Sequence, residues 1–411
     1  MNRRQFLIGC SAGASLLATS NLRLMAQPFL PSVNDSLFVL VFLRGGCDGL
    51  QLVAPTADRN FQDARPSGLK VGERGKFLKN AVADVGFRLH PKAAELQELY
   101  EEGHLAVLQA CGLTNGTRSH FKAMELIERG IDKDQSVRDG WITRAFQQGN
   151  FTGKIPVVSA SNEMAASMMG LRNAASIPNL NEFQLMEVIR HPSFIQKLYQ
   201  GTTPLDQIAQ QTLQTIGFVQ QQLPKYGDGD AKPYRPRTGV RYPDHWRAAE
   251  LSNSFQTLAR LIKMDVGVQM ANVDFGGWDT HEHQENYFPD LVQALSKSLY
   301  AFYQDLRDYH DRLTILVMSE FGRRLRANKS GGTDHGHGNM MMVLGGKVKG
   351  GRMYGKWPTL EANALDKGVD LAVTTDYRSV ITEIMQHRFG LKDQQALFPK
   401  FTTKQKLGFM A

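Results

Sequence analysis

Six short runs, largely apolar from end to end, constrain this chain most. They cover residues 37–43 (Leu-Phe-Val-Leu-Val-Phe-Leu), 105–108, 155–158, 266–273, 313–318 and 340–344. Each is too short for a free-standing helix. Runs that are apolar throughout, rather than alternating, suit strands covered on both faces. Between them lie segments with helical spacing, at 91–102, 121–129, 251–264 and 288–312. In the last of these, Leu291, Leu295, Leu299, Phe302 and Leu306 form one stripe. Strands alternating with helices predict an α/β fold, with a mostly parallel central sheet flanked by helices on both faces. The stretch 179–243 differs, being Gln-rich and then rich in Gly, Asp and Pro. It reads as a helical insertion or cap over the sheet, within a single domain spanning 27–411.

The first 26 residues read as a removable signal. Asn2-Arg3-Arg4-Gln5-Phe6-Leu7 is a twin-arginine signature followed by a mildly apolar segment rich in Gly, Ala and Ser. That segment is too short and too weakly hydrophobic to span a membrane, so no stable membrane anchor is expected. The twin-arginine route exports folded proteins, which points to the periplasm or the cell surface. The formal net charge of +8 includes Arg3, Arg4 and Arg23 of this segment. With no long basic run in the remainder, no nucleic-acid partner is expected; the basicity is incidental or a mild attraction for anionic substrates. Beyond the signal only Cys47 and Cys111 remain. Each follows a predicted strand, so adjacent parallel strands would let them form a disulfide in an oxidising compartment; otherwise they are two small buried hydrophobes.

In open parallel sheets, functional groups gather at the carboxyl ends of the strands. Reading past each predicted strand yields a coherent set. Asp48 lies in the glycine-rich turn 44–49. Arg118, Ser119 and His120 lead into a helix. Asp279, His281 and His283 follow the strand ending at Val273, and Glu320 follows Met318. His335 and His337 leave the same edge in the loop before Met340, and an antiparallel next strand would return both to Glu320. Asp48 could instead cap a turn, and Ser119 could simply cap its helix. A helix N-terminus also suits a nucleophile, and Arg118 beside it could clamp an anionic oxygen. Carboxylates and imidazoles converging in this way suit a divalent cation such as Zn²⁺ or Mn²⁺.

Five segments in order carry a resemblance across nearly the whole chain after the signal. They are Phe42-Leu-Arg-Gly-Gly-Cys-Asp-Gly-Leu50, Arg118-Ser-His-Phe121, Gly276-Gly-Trp-Asp-Thr-His281, Ser319-Glu-Phe-Gly-Arg323 and Gly332-Thr-Asp-His-Gly-His-Gly338. Together they resemble the bacterial family called domain of unknown function 1501, grouped with the alkaline phosphatase-like superfamily. The resemblance implies that fold and a framework for one or two divalent cations (Zn, Mn or Ca). On that pattern Asp48 and Ser119 take the first-acid and nucleophile positions. Asp279 with His281 or His283, and His335 or His337, would hold one metal; Asp48, Ser119 and Glu320 would hold the other. The sequence departs from it at Glu320-Phe321, where such enzymes often carry an Asp-His pair, and the Cys-x-Pro-x-Arg signature of formylglycine sulfatases is absent. The expectation is an exported metal-dependent hydrolase of phosphate or sulfate esters or related anionic groups, with a small anionic ester or an envelope glycan as substrate. Two alternatives stand beside it: a non-catalytic metal- or ligand-binding envelope protein with a protein partner, and an anionic headgroup transferase.

Overall fold

A computed structural model describes residues 36–133, 136–180, 197–226 and 231–411. The signal at 1–26 lies outside them, as do residues 181–196 and 227–230 of the predicted insertion. Among the described residues no helix is long and apolar enough to cross a membrane.

The core is a nine-stranded sheet. At its centre β1 (Leu37–Leu43) lies between β8 (Met270–Phe275) and β9 (Leu313–Ser319), parallel to both. Beyond β8 come β6 (Val157–Ser159) and β7 (Ala174–Ser176), also parallel. On the other side β12 (Asn339–Gly345) runs antiparallel to β9 and to β5 (Leu105–Gly112). The short β13 (Arg352–Tyr354) and β14 (Thr375–Asp376) finish that edge, parallel to β5. All six predicted strands are present, and the one reversed strand is the one that follows the histidine loop. A small antiparallel sheet joins β2 (Val53–Pro55), β4 (Phe87–Leu89) and β3 (Lys76–Phe77). A hairpin pairs β10 (Arg323–Ala327) with β11 (Thr333–His335).

Side chains alternate across a strand, and β1 shows why its run is apolar throughout. Leu37, Val39, Val41 and Leu43 enter one core cluster, beneath the helices Ala249–Lys263 and Gln284–Asp305. Phe38, Leu40 and Phe42 enter the opposite cluster, with the helices His120–Arg129, Trp141–Gln148 and Tyr377–Phe389. Each face is covered, as expected for this fold class. Within the predicted insertion the helix Pro204–Gln222 begins on a Thr203–Asp206 capping box and sends Val219 into the first cluster. The loop after it is fastened at Asp305, which accepts hydrogen bonds from Tyr234, Tyr242, Lys263 and the Arg237 amide.

Of the two readings of the cysteine pair, the structure agrees with two small buried hydrophobes and not with a disulfide. Cys47 and Cys111 are both free and buried. β1 and β5 are not neighbours, because β9 and β12 lie between them. The two thiols also belong to opposite core clusters.

Candidate metal centre

Because β1, β5, β8 and β9 are parallel, the segments leaving them emerge at one edge, where β12 begins. Gly45 has φ +118°, and a Cβ there would lie 2.5 Å from the Asp279 backbone nitrogen. Only glycine lets the turn after β1 touch the loop after β8 so closely. Arg44 ties the same turn to the helix His120–Arg129 through Glu128 (3.0 and 3.1 Å) and to β8 through Asp274 (3.0 Å). Asn339, at the start of β12, donates to the Cys47 and Phe321 carbonyls and so closes the ring of loops.

Four side chains meet inside that ring. His120, Asp279 and His335 offer ligand atoms all within 4.8 Å of one another. His281 joins them: its Nε2 is 2.8 Å from His335 Nε2 and 3.1 Å from Asp279 Oδ1. The outer nitrogen of every imidazole faces an acceptor. His120 Nδ1 is 2.7 Å from Glu320 Oε1, His281 Nδ1 is 3.3 Å from Asp334 Oδ1, and His335 Nδ1 is 2.9 Å from the Arg118 carbonyl. Carboxylates and carbonyls cannot donate, so the proton sits on Nδ1 in each ring and Nε2 keeps its lone pair. Two such lone pairs then face each other at 2.8 Å, with the Asp279 oxygen 3.1 Å from both. His120 Nε2 is buried without a hydrogen bond, although Asp279 Oδ2 is 3.4 Å away. A cluster of acceptors pointed at one another needs positive charge between them. Imidazoles whose outer nitrogens are held by carboxylate or carbonyl groups are the usual surroundings of a bound metal.

The electrostatics agree with this arrangement. Partial burial works against the Asp279 carboxylate, yet the hydrogen bond from the Arg323 guanidinium and its positive charge outweigh it and hold the pKa at about 2. Burial likewise raises Glu320, but His120, Ser319 and the Gly45 amide together bring it below the usual carboxylate range. The hydrogen bond to Glu320 raises His120. Burial outweighs the Asp279 contact at His335 and keeps it low. The carboxylates that favour a proton on His120 would equally favour a cation in its place. Phe321 packs its ring against His120 and His335, with centroids 4.8 and 4.9 Å away.

The remaining candidates lie elsewhere. Asp48 is fully buried and engaged by Arg65 (2.6 and 3.2 Å), Gln284 (2.7 Å) and the Gln51 amide. It caps the short helix Gly49–Leu52 and is not brought to the cluster. His337 bridges Asp366 (3.0 Å) and the Leu113 carbonyl (2.8 Å). His283 is exposed, with φ 50°, and its backbone rather than its ring joins Ser330 to the next helix. Glu320 stands behind His120, facing its outer nitrogen. The Arg118 guanidinium is held by Asp370 and Asp366, and so is committed within the protein. Ser119 occupies the N-cap position of its helix but makes no side-chain cap bond, which leaves an exposed, unengaged hydroxyl next to His120. His120 was the residue sequence reasoning passed over. Its signal is present in the Arg-Ser-His-Phe run, in which sequence reasoning singles out Arg118 and Ser119 but gives His120 no role.

No curated protein matches this chain. Several solved structures are similar to it. The phosphonate monoester hydrolase of Silicibacter pomeroyi shares 8% identity at TM-score 0.39, covering 90% of this chain and 78% of that one. The PsFucS1 sulfatase from Pseudoalteromonas sp. shares 10% at 0.33, covering 86% and 68%. An alkaline phosphatase superfamily protein from Vibrio parahaemolyticus shares 11% at 0.32, covering 86% and 71%. Likenesses this weak decide nothing about the site. The model of a protein family of unknown function, DUF1501, matches residues 115–401, a span that holds all four converging side chains, and the chain belongs to that family.

Proposed function

We propose that this chain is an exported, cation-dependent hydrolase of phosphate or sulfate esters or related anionic groups. The observation that carries the reading is the convergence of three imidazole Nε2 atoms on Asp279, each ring locked by an acceptor on its far side. His120, His281, His335 and Asp279 would hold one divalent cation. Imidazole-rich donors suit Zn²⁺ or Mn²⁺ over Ca²⁺, which prefers oxygen ligands. When bound, such a cation supplies charge that lowers the pKa of a hydroxyl or water and neutralises developing negative charge.

The protein's own groups do the rest. Glu320, Asp334 and the Arg118 carbonyl keep the rings turned inward and fix their tautomers. Ser119, whose hydroxyl is free of capping, stands at a helix N-terminus, where unpaired backbone N–H groups favour an anion; it is the nucleophile in this reading. A second cation at Asp48 is not part of the proposal, since Arg65 already neutralises that carboxylate. Export rests on the twin-arginine signature at residues 2–7.

Metal analysis of the protein purified from the periplasm should return about one Zn or Mn per chain, falling at least tenfold in His120→Ala and His335→Ala. Native protein should cleave a member of a phosphomonoester, phosphodiester and sulfate-ester panel, and Ser119→Ala should lose at least a hundredfold. Full turnover by Ser119→Ala removes the nucleophile assignment. Stoichiometric metal without turnover of any ester favours the non-catalytic reading.

A further inference from the structure

The three imidazoles of the candidate metal centre are not held alike. His120 faces Glu320, a fully buried carboxylate, and His335 faces the Arg118 carbonyl, which belongs to the backbone. His281 faces Asp334, a side chain of β11 that is 46% exposed. A half-exposed carboxylate turns into solvent unless something holds it in one rotamer. Arg324 reaches only its Oδ2, at 4.0 Å. The oxygen that faces His281 Nδ1 is Oδ1, and it is held by Asn328, which donates to it from Nδ2 at 3.1 Å.

Asn328 opens the turn between β10 and β11, and both ends of its amide are engaged. Nδ2 also donates to the His281 carbonyl at 2.9 Å, so Asn328 grips His281 through its main chain and through the partner of its ring. Oδ1 accepts from the Ser330 and Gly332 amides, at 2.9 and 3.1 Å, which closes the turn. The turn is fastened to the loop after β8 as well: the His283 and Gln284 amides donate to the Ser330 and Gly331 carbonyls. The segment bearing His281 is thereby tied to the hairpin that carries His335.

We infer that Asn328 is the positioning residue for His281. Acting through Asp334 Oδ1, it keeps the His281 proton on Nδ1 and so keeps the Nε2 lone pair aimed at the cation. The inference rests on the cation-binding part of the reading above and not on ester hydrolysis.

Asn328→Asp isolates the donor. The replacement keeps Oδ1 for the Ser330 and Gly332 amides and puts an acceptor where Nδ2 met Asp334. Calorimetric titration of metal-depleted protein with Zn²⁺ or Mn²⁺ should show affinity lower by about ten- to a hundredfold in this variant. Nitrogen NMR of histidine-labelled, metal-free protein, with the His281 signals assigned from His281→Gln, should show His281 losing its fixed Nδ1–H form. The metal-free Tm should move by less than about 3 °C. Native affinity in Asn328→Asp overturns the inference. An affinity loss with the His281 tautomer unchanged also overturns it, as does one matched by a large fall in metal-free Tm, because each describes a residue that only builds the turn. Native protein that binds neither cation removes the cation-binding reading and the inference with it. The expected affinity loss, in a protein whose native form cleaves no ester, supports the inference and removes only the hydrolase reading.

Discussion

Asp48 and His120 show how little residue type alone says about role. Both are metal-binding types at strand ends, yet Asp48 lies in a salt bridge with Arg65 in which neither side chain is exposed. Breaking such a pair leaves an uncompensated buried charge and costs about 3–5 kcal/mol. Asp48→Ala should therefore lower unfolding free energy by that amount in a denaturant titration while the folded fraction keeps its metal. Loss of metal without loss of stability would return Asp48 to the site. His90 permits a pH test away from the metal centre. Burial, with Lys92 nearby, lowers its pKa from 6.5 to about 4, and its Nδ1 accepts the Lys92 amide. The unfolded chain takes up this proton first, so the stability His90 contributes is present above pH 6.5 and lost as pH falls toward 4, by about 3 kcal/mol at most. His90→Gln should flatten the stability profile in that window; an unchanged slope would contradict it.

At the scale of elements, the helix His120–Arg129 carries the most consequence. Its apolar face (Ala123, Leu126, Ile127) docks it, Arg44 and Glu128 set its position, and its first residue is delivered to the candidate metal centre. A capping serine is worth about 1 kcal/mol, but the Ser119 hydroxyl makes no cap bond. Ser119→Ala should thus cost less than about 0.5 kcal/mol in stability whatever it does to turnover, and a full capping loss would assign Ser119 a structural role. The helix Pro204–Gln222 offers the opposite case. Gly217 lies in its interior, and nothing within 4 Å would meet an added Cβ. Gly217→Ala should stabilise the protein by about 0.5–1 kcal/mol, read from the shift in denaturation midpoint.

At the scale of the whole molecule, the candidate metal centre draws on segments following β1, β5, β8 and β9, so a cation bound there would staple distant parts of the chain together. Zn²⁺ or Mn²⁺ at a hundredfold excess over its dissociation constant should add about 2.7 kcal/mol to stability, seen as a rise in Tm that chelator reverses and His335→Ala abolishes. The strands, their parallel arrangement and the flanking helices were legible in the sequence, because burial on both faces leaves a continuous apolar run such as 37–43. That Asp279, His281 and His335 gather at one edge of the sheet was legible too, since each lies just past a strand or within the turn that returns to one. What could not be read was partnership. Nothing local marks Arg65 as the partner of Asp48, 17 residues away, or Asp370 as the partner of Arg118, 252 away. Phe321 looked like a missing ligand until the fold brought His120 beside it, so that the nitrogen comes from a helix start and the phenyl ring packs the imidazoles. Hydrophobic periodicity is written along the chain and decides the layers by itself. Which charge faces which depends on sheet order and loop closure, and only the tertiary structure determines those.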